Sequence, residues 1–128
     1  MKAKAPGSDR LAALAAFAKT LETIDPADTE HLTKIAGAFD KMAYRTGWVI
    51  EGFGWPEWGG TAEAEALFAN HGAIETATTQ QLERLITTIV RGDRFNEGLL
   101  LENLQNGVMH AIARRAAALR GVKSLPDS

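Results

Sequence analysis

The chain has 128 residues, a formal net charge of −2 and no cysteine, so disulfides, thiolate metal sites and thiol nucleophiles are excluded. That length suits one domain able to fold unaided, and the near-neutral balance gives no reason to expect nucleic acid or an anionic membrane surface as partner. No apolar run approaches the ~20 residues of a membrane span, and Met1–Gly7 lacks the apolar centre of a secretory signal, which makes the cytoplasm the expected location.

A first helix is expected behind a Ser8 cap, with Leu11, Leu14, Phe17, Ala18 and Leu21 as its apolar stripe. Ile24-Asp25-Pro26 reads as a turn, with Asp25 capping a second helix and Pro26 at its first position. Leu32, Ile35, Phe39 and Met42 mark the buried face of that helix, which weakens near Gly47. Periodicity fails from Gly47 to Gly60. Trp48-Val49-Ile50 fits either a last helical turn or a short extended segment near 48–53, and Gly52 to Gly60 reads as a loop rich in glycine and tryptophan.

Thr61 can cap a short helix through Ala64, Leu67 and Phe68, ending near His71-Gly72. Thr78 and Gln81 form a capping box for the cleanest amphipathic pattern in the chain, Leu82, Leu85, Ile86, Ile89 and Val90. Leu99, Leu100, Leu101 and Leu104 run up to a stop at Asn106-Gly107. Val108, Ile112, Ala116 and Leu119 drive a final helix that Gly121 should end. The expected fold is all-α, a compact single-domain bundle over 1–128 of about six short helices, with 1–7 and 122–128 frayed.

Charge is unevenly spread. Between Arg45 and Arg84 there is no Lys or Arg, while Glu51, Glu57, Glu63, Glu65, Glu75 and Glu83 fall there; Arg114, Arg115, Arg120 and Lys123 reverse the sign near the end. Two solvated faces are the simpler reading. An acidic surface meeting a basic one, within the chain or across a homodimer, is the sharper one.

Two clusters carry the candidate site residues. Arg91-Gly92-Asp93-Arg94-Phe95-Asn96-Glu97-Gly98 packs four charges, two glycines and an aromatic into eight residues. Arg94 and Glu97 can pair at helical spacing, so a polar staple between two helices is the plainer expectation. Arg91 and Arg94 gripping an anion, with Glu97 orienting them, is the functional one. The second cluster, Phe53, Trp55 and Trp58, sets three rings among glycines. Rings this dense either plug the core or form an aromatic patch for a partner.

The remaining chemistry is sparse. His31, His71 and His110 lie far apart without metal-ligand spacing, serine occurs only near the ends, and there is no phosphate-binding glycine loop or nucleophile elbow. No cofactor and no metal are expected.

Phe53-Gly54-Trp55-Pro56-Glu57-Trp58, then Arg91 to Gly98, then Asn106-Gly107 and a closing Ile–Arg–Arg helix, in that order over Leu32 to Leu119, resemble the bacterial family of small proteins known as domain of unknown function 6508. The chain departs from that pattern at Gly54, where an acidic residue is common, so no polar role of that position carries over. The resemblance implies no activity; it implies that the aromatic loop and the Arg-Phe-x-Glu-Gly turn belong together, with Trp55 or Trp58 near Arg91 or Arg94 in a cation–π contact. The missing catalytic motifs, the aromatic loop and the opposed charge segments point to a non-enzymatic interaction or accessory protein, self-associating or binding another protein. The alternative is a small enzyme or ligand binder whose anion pocket joins Trp55, Trp58, Arg91, Arg94 and Glu97.

Overall fold

The computed structural model describes residues 6–124, with side chains from Arg10 to Arg120; of the fraying expected at 1–7 and 122–128, residues 1–5 and 125–128 lie outside the described residues, while 6–7 and 122–124 are helical. Among those described there are eight helices and no strand: α1 (Pro6–Glu22), α2 (Thr29–Arg45), α3 (Trp55–Gly59), α4 (Ala62–Ala69), α5 (His71–Ile74), α6 (Thr79–Phe95), α7 (Leu99–Gln105) and α8 (Val108–Ser124). The two beyond the expected number, α3 and α5, are single turns too short to show a hydrophobic period.

Helix starts shift where two caps compete. α1 begins at Pro6, whose fixed φ suits a first helical position, so Ser8 lies inside the helix. α2 begins after Asp28, whose side chain accepts from His31 N at 3.1 Å, and not after Asp25. Asp25 closes a turn instead, accepting from Ala27 N at 2.9 Å. The expected capping box of α6 is present in both directions, Thr78 N to Gln81 Oε1 at 2.9 Å and Gln81 N to Thr78 Oγ1 at 3.1 Å. α8 runs through Gly121 to Ser124; a glycine inside a helix costs only ~1 kcal/mol, which the rest of the helix absorbs.

Residues 46–54 are neither a helical turn nor a strand but a strap pinned by side chains. Trp48 is fully buried, its Nε1–H donating to Arg10 O at 2.9 Å. Buried Thr87 of α6 donates to Trp48 O at 3.2 Å and accepts from Ile50 N at 3.1 Å, supplying the backbone partners that a ladder would have given. The Arg10 guanidinium lies 4.3 Å from the Trp48 ring centroid, donates to Gly47 O and pairs with Glu83.

One contiguous apolar core joins all of this, with Leu82, Leu85, Ile86, Ile89 and Val90 of α6 buried at its centre. α1 lies along α8 in the most extensive helix–helix contact, and α7 touches α2, α6 and α8. α6 is thereby in contact with α2, α3 and α7. No described helix is long and apolar enough to cross a membrane.

Candidate functional site

The three rings of the aromatic segment part company because α3 turns them apart. Trp58 is 7% exposed, and its Nε1–H donates to Glu63 Oε1 at 3.0 Å. The other carboxylate oxygen accepts from Gln81 Nε2 at 2.9 Å, and Arg84 Nη1 stands 3.7 Å from Oε1. Phe53, half-buried, packs on Trp58 at 5.9 Å between centroids, and the Arg84 guanidinium covers it at 5.6 Å. The Glu63 carboxyl is held below the ordinary glutamate range, first by the Gln81 hydrogen bond, then by the Trp58 indole and more weakly by Arg84, against some desolvation. Phe53 and Trp58 thus join the starts of α4 and α6.

Trp55 points the other way. Its ring stacks on Phe95 with centroids 6.0 Å apart and planes 28° apart, and it lies over Gly92 of α6. A Cβ on Gly92 would sit 2.8 Å from Leu99 Cδ2, the movable end of that side chain, and in ordinary contact with Trp55 at 3.7 Å, so a larger residue here would have to displace Leu99. Phe95 itself is 82% exposed. One position back, the Arg94 guanidinium covers Tyr44 of α2 at 5.3 Å, and Tyr44 is 41% exposed. The two motifs therefore do meet, through Trp55 on Phe95. The cation–π partners are Tyr44 for Arg94 and Phe53 for Arg84, not Trp55 or Trp58.

Among the described residues, no ion pair joins the charges of Arg91 to Glu97. The staple is made by Asp93 alone, whose Oδ1 accepts from Gly98 N at 3.2 Å and Leu100 N at 3.0 Å and so caps α7. Gly98 at φ +98° turns the chain for that capture, a conformation that favours glycine. Arg94 and Glu97 are exposed, while Arg91 is half-buried with its Nε enclosed and no acceptor in reach.

Arg94 lines a cavity of about 340 Å³ against α2 with Asp40, Asp93 and Val90, and Glu97 lines a neighbouring one of about 250 Å³ with Thr33 and Leu101. Trp58 is in the core, and Trp55 is on the α3 side of α6. The six candidates thus divide into a structural pair (Phe53, Trp58) and a surface group (Trp55, Arg94, with Glu97 at its edge), leaving Arg91 partly enclosed. Sequence reasoning missed Tyr44, Phe95 as an exposed ring, Glu63, Arg84 and the cap by Asp93. An Asp five residues before a glycine and seven before an apolar helix position was the one signal present; Tyr44 lies half the chain away and had none.

Opposite charges meet within the chain at Arg114–Glu75, 3.0 Å, and Arg84–Glu63, and Arg115 Nε donates to Ala77 O at 2.7 Å. No three of His, Cys, Asp or Glu among the described residues converge in a metal-ligand set.

A model of a family of unknown function (DUF6508) matches residues 24–122, a span that includes both motifs, the Glu63 cluster and the Trp55–Phe95 stack. No curated protein and no solved structure matches.

Proposed function

The chain belongs to this family of unknown function, and because membership carries no activity, we propose from the surface alone that it is a non-enzymatic interaction protein that pairs with a second copy of itself. The observation that carries the reading is Phe95, 82% exposed yet stacked on Trp55. An aromatic ring left in water costs solubility, and an ordered one loses little entropy on binding. Trp, Tyr and Arg are also the residue types that anchor protein interfaces; Trp55 stacks on Phe95, and Arg94, the preceding residue on α6, covers Tyr44.

The charges favour a self-complementary contact. Arg94 shares a cavity with Asp40 and Asp93 but forms no ion pair, and Glu97, exposed three positions on, pairs with no cation, among the described residues. A two-fold interface uses one patch twice, so it needs both signs around its apolar centre. This end of α6 has them: Phe95 can meet Phe95, and Arg94 of one copy can meet Glu97 of the other.

Sedimentation velocity over ~1–100 μM tests this. Wild type is expected to form a dimer and Phe95→Ser a monomer with an unchanged far-UV spectrum. A wild-type protein that stays monomeric throughout the range removes the reading and makes a different protein the occupant to look for.

A further inference from the structure

A second concavity lies on the other flank of α6, away from Tyr44 and Arg94. It has a volume of about 350 Å³ and is walled by Phe68 of α4, Ile89 and Thr88 of α6, Leu99 and Asn103 of α7, and Gly59 of α3. That is within the lower range of small-molecule sites, and its walls are mainly apolar, as such sites require.

Asn103 supplies the polar handle. It is 5% exposed, one of two buried polar side chains in the core, and its Nδ2 donates to Leu99 O at 2.9 Å. Since the Leu99 carbonyl can accept only from the amide nitrogen, the orientation of the group is fixed and Oδ1 is its other end. No donor among the described residues reaches that oxygen. Thr87, the other buried polar side chain, satisfies itself twice on the 46–54 strap. The Asn103 oxygen is open to solvent, so a ligand carrying a donor would take the place of water on it.

The rest of the lining selects the donor. Thr88 Oγ1 spends its proton on Arg84 O at 2.7 Å and presents only lone pairs. Glu102 adds an exposed carboxylate at the rim, and no Lys or Arg lines the concavity. Asn106 also lines the concavity, its Oδ1 taken by Val108 N at 2.9 Å, so its amide N–H is a neutral donor facing three acceptors; with one of those an anion and no cation to offset it, the lining disfavours carboxylates and phosphates and suits a head with several N–H donors and positive charge. We propose that this concavity between α3, α4, α6 and α7 binds a small organic ammonium, a protonated amine on an apolar body, with Asn103 Oδ1 accepting from the nitrogen and Phe68, Ile89 and Leu99 enclosing the body.

Benzylamine, benzyl alcohol and benzoate share one apolar body and differ only in the head, so they form the test. Titrated against the full-length protein and followed by amide NMR, benzylamine is expected to saturate with a dissociation constant on the order of 1 mM. Its shifts should fall on the Asn103 side-chain amide and on Gly59, Thr88 and Leu99. Benzyl alcohol should bind about tenfold more weakly and benzoate not measurably. Asn103→Leu should abolish the preference for the amine. Gly59→Leu is the independent check: a Cβ at position 59 makes only ordinary contact with Thr88, at 3.8 Å, so the variant should keep its fold, fill the mouth and lose binding. Benzoate binding as tightly as benzylamine, or Gly59→Leu binding benzylamine like wild type, would overturn the assignment.

Discussion

Arg84 and Arg94 stand ten positions apart on the same helix, each over an aromatic ring, and their surroundings could hardly differ more. Arg84 covers Phe53 and faces Glu63, whose two oxygens are already taken by Trp58 and Gln81. Both carboxylate oxygens there have donors, Arg84 stands 3.7 Å from one of them, and Trp58 is turned inward. Arg94 covers Tyr44 and, though it shares a cavity with Asp40 and Asp93, forms no ion pair among the described residues, beside a phenylalanine in water. The same residue types make a closed cluster at one end of α6 and an unfinished one at the other. Composition therefore cannot assign a role; the number of partners left over can.

The largest effect should come from opening the closed end. Trp58→Ala removes a buried indole and leaves Glu63 without its donor, which is expected to cost ~3–5 kcal/mol in urea unfolding. A loss under ~1 kcal/mol would mean that the cluster is as dispensable as a surface pair, and the contrast would collapse. Next comes Asp93→Ala, which frees Gly98 N and Leu100 N at the start of α7. A loss of ~1–2 kcal/mol is expected, the usual worth of an N-cap, against less than ~0.5 kcal/mol for Arg94→Ala and Glu97→Gln. If those two cost as much as Asp93→Ala, they are fastening the fold and not facing a partner.

These expectations also measure what the sequence could reveal. The amphipathic face of α6, its capping box and the break at Asn106-Gly107 are local signals, and they appear where expected. The extra turns α3 and α5 escaped because one turn has no period to read, and the 46–54 strap because its hydrogen bonds come from Thr87 and Arg10, each almost forty positions distant. The Arg91–Glu97 stretch was legible as a site of some kind. Which carboxylate did the fastening was not, since Asp93 and Glu97 are equivalent until the position of Gly98 is known. The inward or outward facing of the three rings was equally hidden, because a helix of one turn is indistinguishable in sequence from a loop, and a loop has no faces.

A smaller effect sharpens the comparison through pH. Because the folded Glu63 carboxyl titrates below its ordinary value, near 4.3 when unfolded, the unfolded state binds the proton more readily. Its contribution to stability is therefore complete above that ordinary value and is lost as pH falls through the lower folded value. Urea midpoints measured between about pH 6 and pH 3 should fall more steeply for wild type than for Glu63→Gln, whose amide has no proton to take up. Since Glu63 is over one-third exposed, solvent screens the pair and the difference should be modest. Parallel slopes would remove the carboxylate from the account of the closed end.

The smallest effect on stability belongs to Phe95, and there smallness is itself the diagnostic. A ring 82% exposed has little burial to lose, so Phe95→Ser should melt within about 0.5 kcal/mol of wild type. Trp55 loses its stacking partner but keeps its place over Gly92, and its fluorescence should shift to the red as water reaches the freed face. What should change sharply is association. A double-mutant cycle of Arg94→Glu with Glu97→Arg separates a paired interface from a merely sticky one, because each single reversal sets like charges across a two-fold contact while the double restores opposite ones. Dimerisation weakened by both single variants and recovered in the double would place Arg94 against Glu97 across the interface. Weakening that adds, with no recovery, would leave the aromatic patch as a contact whose charges play no part in orienting it.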